Sequence, residues 1–163
     1  MTITFQPAPA PVPPEHEWVD SAPFRAHLRF LLSVTEASPE VVALLAGVAP
    51  RLARRVLTGD GGRPLRRISP DTARRLYAVT PAVLRECRLR TVPAAPVAAM
   101  MRRMELLGWS RVDWCERLGL SQVAVAALAS GRTRRCSYWV ALQVRAAAVG
   151  FRSSPRAGLR QAA

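Results

Sequence analysis

Arginine is the one residue type whose number and grouping in this chain could do chemistry. All 24 basic residues among its 163 are arginine; lysine and asparagine are absent. Two short clusters stand out: Arg63, Arg66 and Arg67 in DGGRPLRR, and Arg132, Arg134 and Arg135 in GRTRRC. A guanidinium is permanently charged and offers its N–H donors in a rigid planar fork. A net charge of +13 and a pI near 11.6 draw the folded chain to polyanions, nucleic acid first and anionic membrane second. The charge is unevenly placed. Residues 1–24 hold Glu15, Glu17 and Asp20 and no arginine, so the remainder carries +16, three more than the whole chain.

Other chemistries lack their parts. His16 and His27 have no cysteine or acidic partner at metal-ligand spacing, so no zinc site is expected. Cys87, Cys115 and Cys136 are odd in number and far apart, as suits reduced thiols in a cytoplasm. Arginines beside Cys136 can lower a thiol pKa, but redox sensing there is the minor reading. GDGG at 59–62 is too short for a phosphate-cradling loop, and no Ser-His-Asp set or carboxylate pair appears. The expectation is no enzyme, no cofactor and no metal. No stretch approaches the roughly 18 apolar residues a membrane span needs, and no secretory signal is visible at the N-terminus.

The elements that must hold the arginines are organised around Ser110 to Gly131, SRVDWCERLGLSQVAVAALASG. It predicts two short helices joined by a turn at Gly119, with Ser110 and Ser121 as N-caps and Trp114, Leu118, Val125 and Leu128 at core spacing. The stretch Ser38 to Gly59, SPEVVALLAGVAPRLARRVLTG, matches it without a gap at an offset of 72 residues. Ala73 and Leu76 match Ala141 and Val144 at an offset of 68, which places four extra residues of the first copy in its DGGRPLRR loop. Such self-similarity predicts two similar helical units in tandem.

A small residue, a glycine four positions on, an apolar residue, a small residue and a closing glycine recur as Ala43, Gly47, Val48, Ala49, Gly59 and as Cys115, Gly119, Leu120, Ser121, Gly131. This pattern resembles the helix-turn-helix of lambda-repressor-like (Cro-type) DNA-binding domains, over roughly residues 24–150. It departs from that family at Leu57 and Ala129, where an acidic residue is common, and at Pro50, which opens the first recognition helix. The resemblance implies a bacterial or bacteriophage protein whose second motif helix enters the major groove. The base-contacting residues it implies are Pro50, Arg51, Arg54 and Arg55 in the first unit and Gln122, Val123 and Ala126 in the second. Arginine pairs with guanine, glutamine with adenine, and apolar groups with the thymine methyl. Phosphate contacts are expected from Ser38, Thr58, Arg63, Arg66 and Arg67, and from Ser110, Ser121, Arg132, Arg134 and Arg135. Arg74, Arg75, Arg102 and Arg103 are expected to be solvated.

In chain order, residues 1–22 are Pro-rich and predict a disordered acidic arm, with Trp18 as its anchor for any partner. Residues 23–88 form the first helix-turn-helix domain, with helices predicted near 23–35, 39–46, 50–58, 70–78 and 81–88. Proline follows a capping hydroxyl at Ser38, Ser69 and Thr80, which marks three helix starts. Residues 89–97 read as a linker, 98–150 as the second domain and 151–163 as a flexible basic tail. The fold class is therefore all-α, with four to five short helices per unit. The leading expectation is sequence-specific binding of double-stranded DNA by a nucleoid-associated regulator, a monomer or dimer, reading an asymmetric site. The alternative is a regulator that binds RNA polymerase or another protein through residues 1–22 on the same scaffold; a third reading is non-specific DNA coating.

Overall fold

The computed structural model describes residues 17–59 and 62–152, with the side chain of Arg152 left aside. It is mostly helical, with two small antiparallel sheets. The order is β1 (Val19–Asp20), α1 (Ala22–Thr35), α2 (Pro39–Ala46), α3 (Pro50–Leu57), β2 (Arg67–Ile68), α4 (Pro70–Ala78) and α5 (Pro81–Leu89). There follow β3 (Thr91–Pro93), α6 (Ala95–Leu106), α7 (Arg111–Leu118), α8 (Gln122–Ala129), β4 (Arg135–Ser137) and α9 (Tyr138–Arg152). No helix among the described residues is long and apolar enough to cross a membrane.

Local chemistry accounts for the helix ends. Ser38, Ser69 and Thr80 each accept an N–H three residues on, from Val41, Thr72 and Val83, and each precedes a proline in the first turn. Ser121 caps α8 in the same way through Ala124. Gly47 and Gly119 end α2 and α7 in nearly identical left-handed conformations, at φ 65° and 64°, where a side chain would strain the backbone.

The element order repeats. Each half of the chain runs strand, three helices, strand, helix, and in each the first strand pairs antiparallel with the second: Val19 opposite Ile68, and Val92 opposite Cys136. Buried residues repeat with it. Leu28 and Leu31 correspond to Met101 and Met104, Val42 to Trp114, Ala53 to Val125, Val56 to Leu128, and Leu76 to Val144. The first helix of each half corresponds at an offset of 73 rather than 72, because α1 (14 residues) is two residues longer than α6 (12 residues) while the α1–α2 connection is one residue shorter than the α6–α7 connection.

Three boundaries differ from the sequence expectation. The arm predicted over 1–22 is built into the fold from residue 17: β1 pairs with β2, and Ser21 is fully buried, its N–H donating to the Arg66 carbonyl at 2.9 Å and its hydroxyl to Leu65. Residues 1–16 lie outside the described residues. The linker predicted over 89–97 is instead β3 followed by the start of α6. Pro93 is tolerated because a two-stranded edge leaves a missing N–H uncompensated only on its open side. Phe151 and Arg152, expected in a tail, complete α9, and the rest of that tail, 153–163, lies outside the described residues.

Nor are the two halves separate. Leu142 and Ala146 of α9 join the core of the first half, while Val140, Ala141, Val144 and Ala147 belong to the core of the second. At 100° per residue these two sets fall on opposite sides of the helix, so α9 is shared between both cores.

Arginine also closes helix ends. Arg25 donates to the Val56 and Leu65 carbonyls (2.9 and 3.1 Å), Arg75 to Gly47 (3.2 Å), Arg88 to Thr35 (2.8 Å) and Arg102 to Ala129 (3.0 Å). Most of these are orphan carbonyls of a last turn, where the helix dipole also favours a cation. Arg75 and Arg102, expected to be solvated, are thus engaged.

The largest fully buried side chain, Trp114, has no acceptor for its indole N–H among the described residues. An unpaired buried donor costs about 1–3 kcal/mol. Trp114→Phe should therefore lower stability by less than about 1 kcal/mol in urea unfolding, whereas Trp114→Ala should cost about 3–5 kcal/mol.

Candidate nucleic-acid interface

Helices α3 and α8 each follow a left-handed glycine turn and lead into an arginine-bearing loop. Both bury one side, α3 through Ala53, Val56 and Leu57, α8 through Val125, Leu128 and Ala129. What each leaves outside differs. On α3, Arg51 is exposed and Pro50 and Arg55 are partly buried; on α8, Gln122 and Val123 are exposed, Val123 at 78%, while Ala126 is partly covered. The first face is cationic and the second is an amide beside an aliphatic group.

The arginine loops are held by backbone, which leaves their side chains outward. The Arg66 carbonyl accepts from Ser21 and the Arg134 carbonyl from Ala94, at 2.9 and 3.0 Å, so the same position of each half is tied to the start of that half's first helix. Arg63, Arg66, Arg67 and Arg134 are all exposed. Arg132 is exposed and rests on the Ser130 hydroxyl at 3.3 Å. Thr58 and Ser121 are also exposed, with Thr58 donating to the Arg54 carbonyl at 3.1 Å.

Four expected contacts are otherwise occupied. Arg54 donates from Nε to Glu40 at 2.7 Å, and this pair lies against the last turns of α9 rather than on the open face. Ser38 caps α2 and also accepts from the Arg117 guanidinium of α7 at 3.3 Å. Ser110 donates to the Asp113 carboxylate at 2.8 Å within a capping box, so a negative charge stands where a phosphate would approach. Arg135 reaches across β3–β4 to the carbonyl and hydroxyl of Thr91, at 2.9 and 3.1 Å.

Sequence reading missed the seam between the halves. Glu40, Arg54, Trp109, Arg117, Gly150 and Phe151 line a cleft of about 290 Å³ there. Arg117 and Ser38 are 79 residues apart, and no local pattern pairs them. The Ser110–Asp113 box, by contrast, was legible in the S-x-x-D spacing. The lesser reading of Cys136 as a redox thiol finds no support: burial beside Val92 and the second core pushes its thiol up rather than down. His27 is structural, its Nε2 lying 2.9 Å from the Val79 carbonyl oxygen and its ring stacked on Tyr77 at 4.8 Å.

Compared with known proteins, the chain matches no family model, no curated protein and no solved structure.

Burial alone would raise the Glu40 carboxyl, but its own backbone amide, the Arg54 guanidinium and the Ser38 hydroxyl outweigh that and hold it below the ordinary glutamate value. A carboxyl depressed by folding stabilises above its unfolded pKa, and this contribution is lost as pH falls through the folded pKa. Glu40→Gln should thus cost about 1.5–3 kcal/mol at pH 7. The difference in thermal midpoint between the variant and the parent should narrow as pH falls below the ordinary glutamate range, which differential scanning calorimetry can follow.

Proposed function

We propose that this chain binds double-stranded DNA with sequence preference, as a transcriptional regulator whose two helix-turn-helix units are of the lambda-repressor-like type. The observation that carries this reading is the duplicated outward presentation of α3 and α8. Each follows a glycine turn at φ near +65° and each is succeeded by arginines left exposed by a backbone tether. A helix of this kind fits the major groove, and flanking guanidinium groups supply phosphate contacts that give affinity and register.

The two faces imply an asymmetric target. Arg51, with Arg55 beside it, suits guanine, and Gln122 with Val123 suits adenine next to a thymine methyl. Because α9 is part of both cores, the units are presented at one fixed spacing and orientation. A second reading, a partner-binding regulator on this scaffold, draws support from one observation. Arg54 and Ser38 of the first unit are turned to the seam, and α8 of the second unit exposes Gln122 and Val123 alone. Its docking peptide would be shorter than first expected, since residues 17–22 belong to the fold.

Selection from a random DNA pool at several salt concentrations tests the proposal. The expected outcome is one enriched asymmetric motif. Arg51→Ala and Gln122→Ala should each cost about 1–3 kcal/mol and relax preference at separate positions of it. Arg66→Ala, Arg67→Ala and Arg134→Ala should weaken all sequences alike and each reduce the salt slope by about 1. Inserting roughly half a helical turn, about 5 base pairs, between the two read segments should abolish binding. An unenriched pool, with affinity indifferent to Arg51 and Gln122, would overturn the proposal.

A further inference from the structure

The seam cleft carries more positive charge than its own carboxylate can balance. Two guanidinium groups line it, Arg54 of α3 and Arg117 of α7, against the single acid Glu40. Glu40 is taken by Arg54, whose Nε donates to it at 2.7 Å. Arg117 has no acid within ion-pair distance among the described residues, and its one printed-length hydrogen bond, 3.3 Å to the Ser38 hydroxyl, goes to a neutral group. Its Nε is buried without an acceptor among the described residues. A cation withdrawn from water in this way is stabilised by a counter-ion. The outer nitrogens of Arg54, which lie over Gly150, also have donors to spare.

The rest of the cleft is aromatic. Trp109 and Phe151 meet edge to face, with ring centroids 6.5 Å apart, and both rings are only partly buried. Trp109 is backed by the fully buried Trp114 at 4.6 Å, which holds it in place. Small-molecule sites favour the junction of two units and combine apolar walls with a few placed polar groups, over volumes of about 300–1,000 Å³. The cleft, at about 290 Å³, sits at the lower end of that range and suits a single ring rather than a nucleotide.

We propose that the seam cleft binds a small aromatic carboxylate, its ring against Trp109 and Phe151 and its carboxylate on the guanidinium groups of Arg117 and Arg54. Such a ligand bridges the two halves, because Arg54 belongs to one and Arg117 to the other. The inference does not depend on DNA binding.

Calorimetric titration of the full-length chain at physiological salt tests it, with benzoate, benzamide and acetate as probes. Benzoate should bind saturably at one site, with benzamide (ring without charge) and acetate (charge without ring) each weaker by about tenfold or more. Arg117→Gln should remove the advantage of benzoate over benzamide, Arg117→Lys should keep part of it, and Arg103→Gln, outside the cleft, should leave it unchanged. NMR of the unmodified chain supplies a readout that needs no variant. The Nε–H signals of Arg54 and Arg117 should shift along one saturation curve while those of Arg51 and Arg103 stay in place. Equal binding of benzoate and benzamide, or the absence of a saturable heat, would overturn the proposal. Shifts spread evenly over the exposed arginines would do so too, since the attraction would then be one of charge alone.

Discussion

The structure depends on α9 being apolar on two opposite sides. Leu142 and Ala146 close the first core, and Val140, Val144 and Ala147 close the second. A helix apolar around most of its circumference is stable only when covered on most of it, and neither half alone could cover this one. The two halves are therefore held against each other by the hydrophobic effect rather than by a tether. Their exposed helices α3 and α8 inherit a fixed mutual geometry from it.

Arginine divides its work along a line that charge counting does not show. Arg25, Arg75, Arg88 and Arg102 satisfy carbonyls at or near helix ends, and Arg88 and Arg90 also lie over the rings of Trp139 and Tyr138. With no lysine in the chain, one residue type must both complete the fold and furnish the exterior field. The planar fork makes this possible: a guanidinium can bond a carbonyl while its flat face covers an aromatic ring. Bonding to a neutral carbonyl leaves each of these charges in place and fixes where it sits.

The duplicated halves have diverged where they meet. Gly47 and Gly119 keep one turn geometry, and Ser38 and Ser110 both cap a helix. Yet Ser38 faces Arg117 across the seam while Ser110 stays open beside Asp113. Glu40 has become the buried partner of Arg54, a role its counterpart in the second half, Val112, cannot play because it is exposed and apolar. The halves repeat one element order, yet the residues they present and the way one packs on the other leave their surfaces unequal.

What could be read from residues alone was whatever depends on neighbours in sequence. The caps at Ser38, Ser69, Thr80, Ser110 and Ser121, the glycine turns and the 72- and 68-residue offsets all arise from backbone hydrogen bonding and apolar spacing within a few turns. The strand Thr91–Pro93 escaped because three residues with a proline carry no period and exist only through Arg135–Ser137. The assignments of Arg54, Ser38, Arg135 and Cys136 escaped for a related reason. A side chain's partner across the seam or across a sheet is set by which surfaces come together: the pairing of β3 with β4 decided it for Arg135 and Cys136, and α9, by burying both its sides, for Arg54 and Ser38.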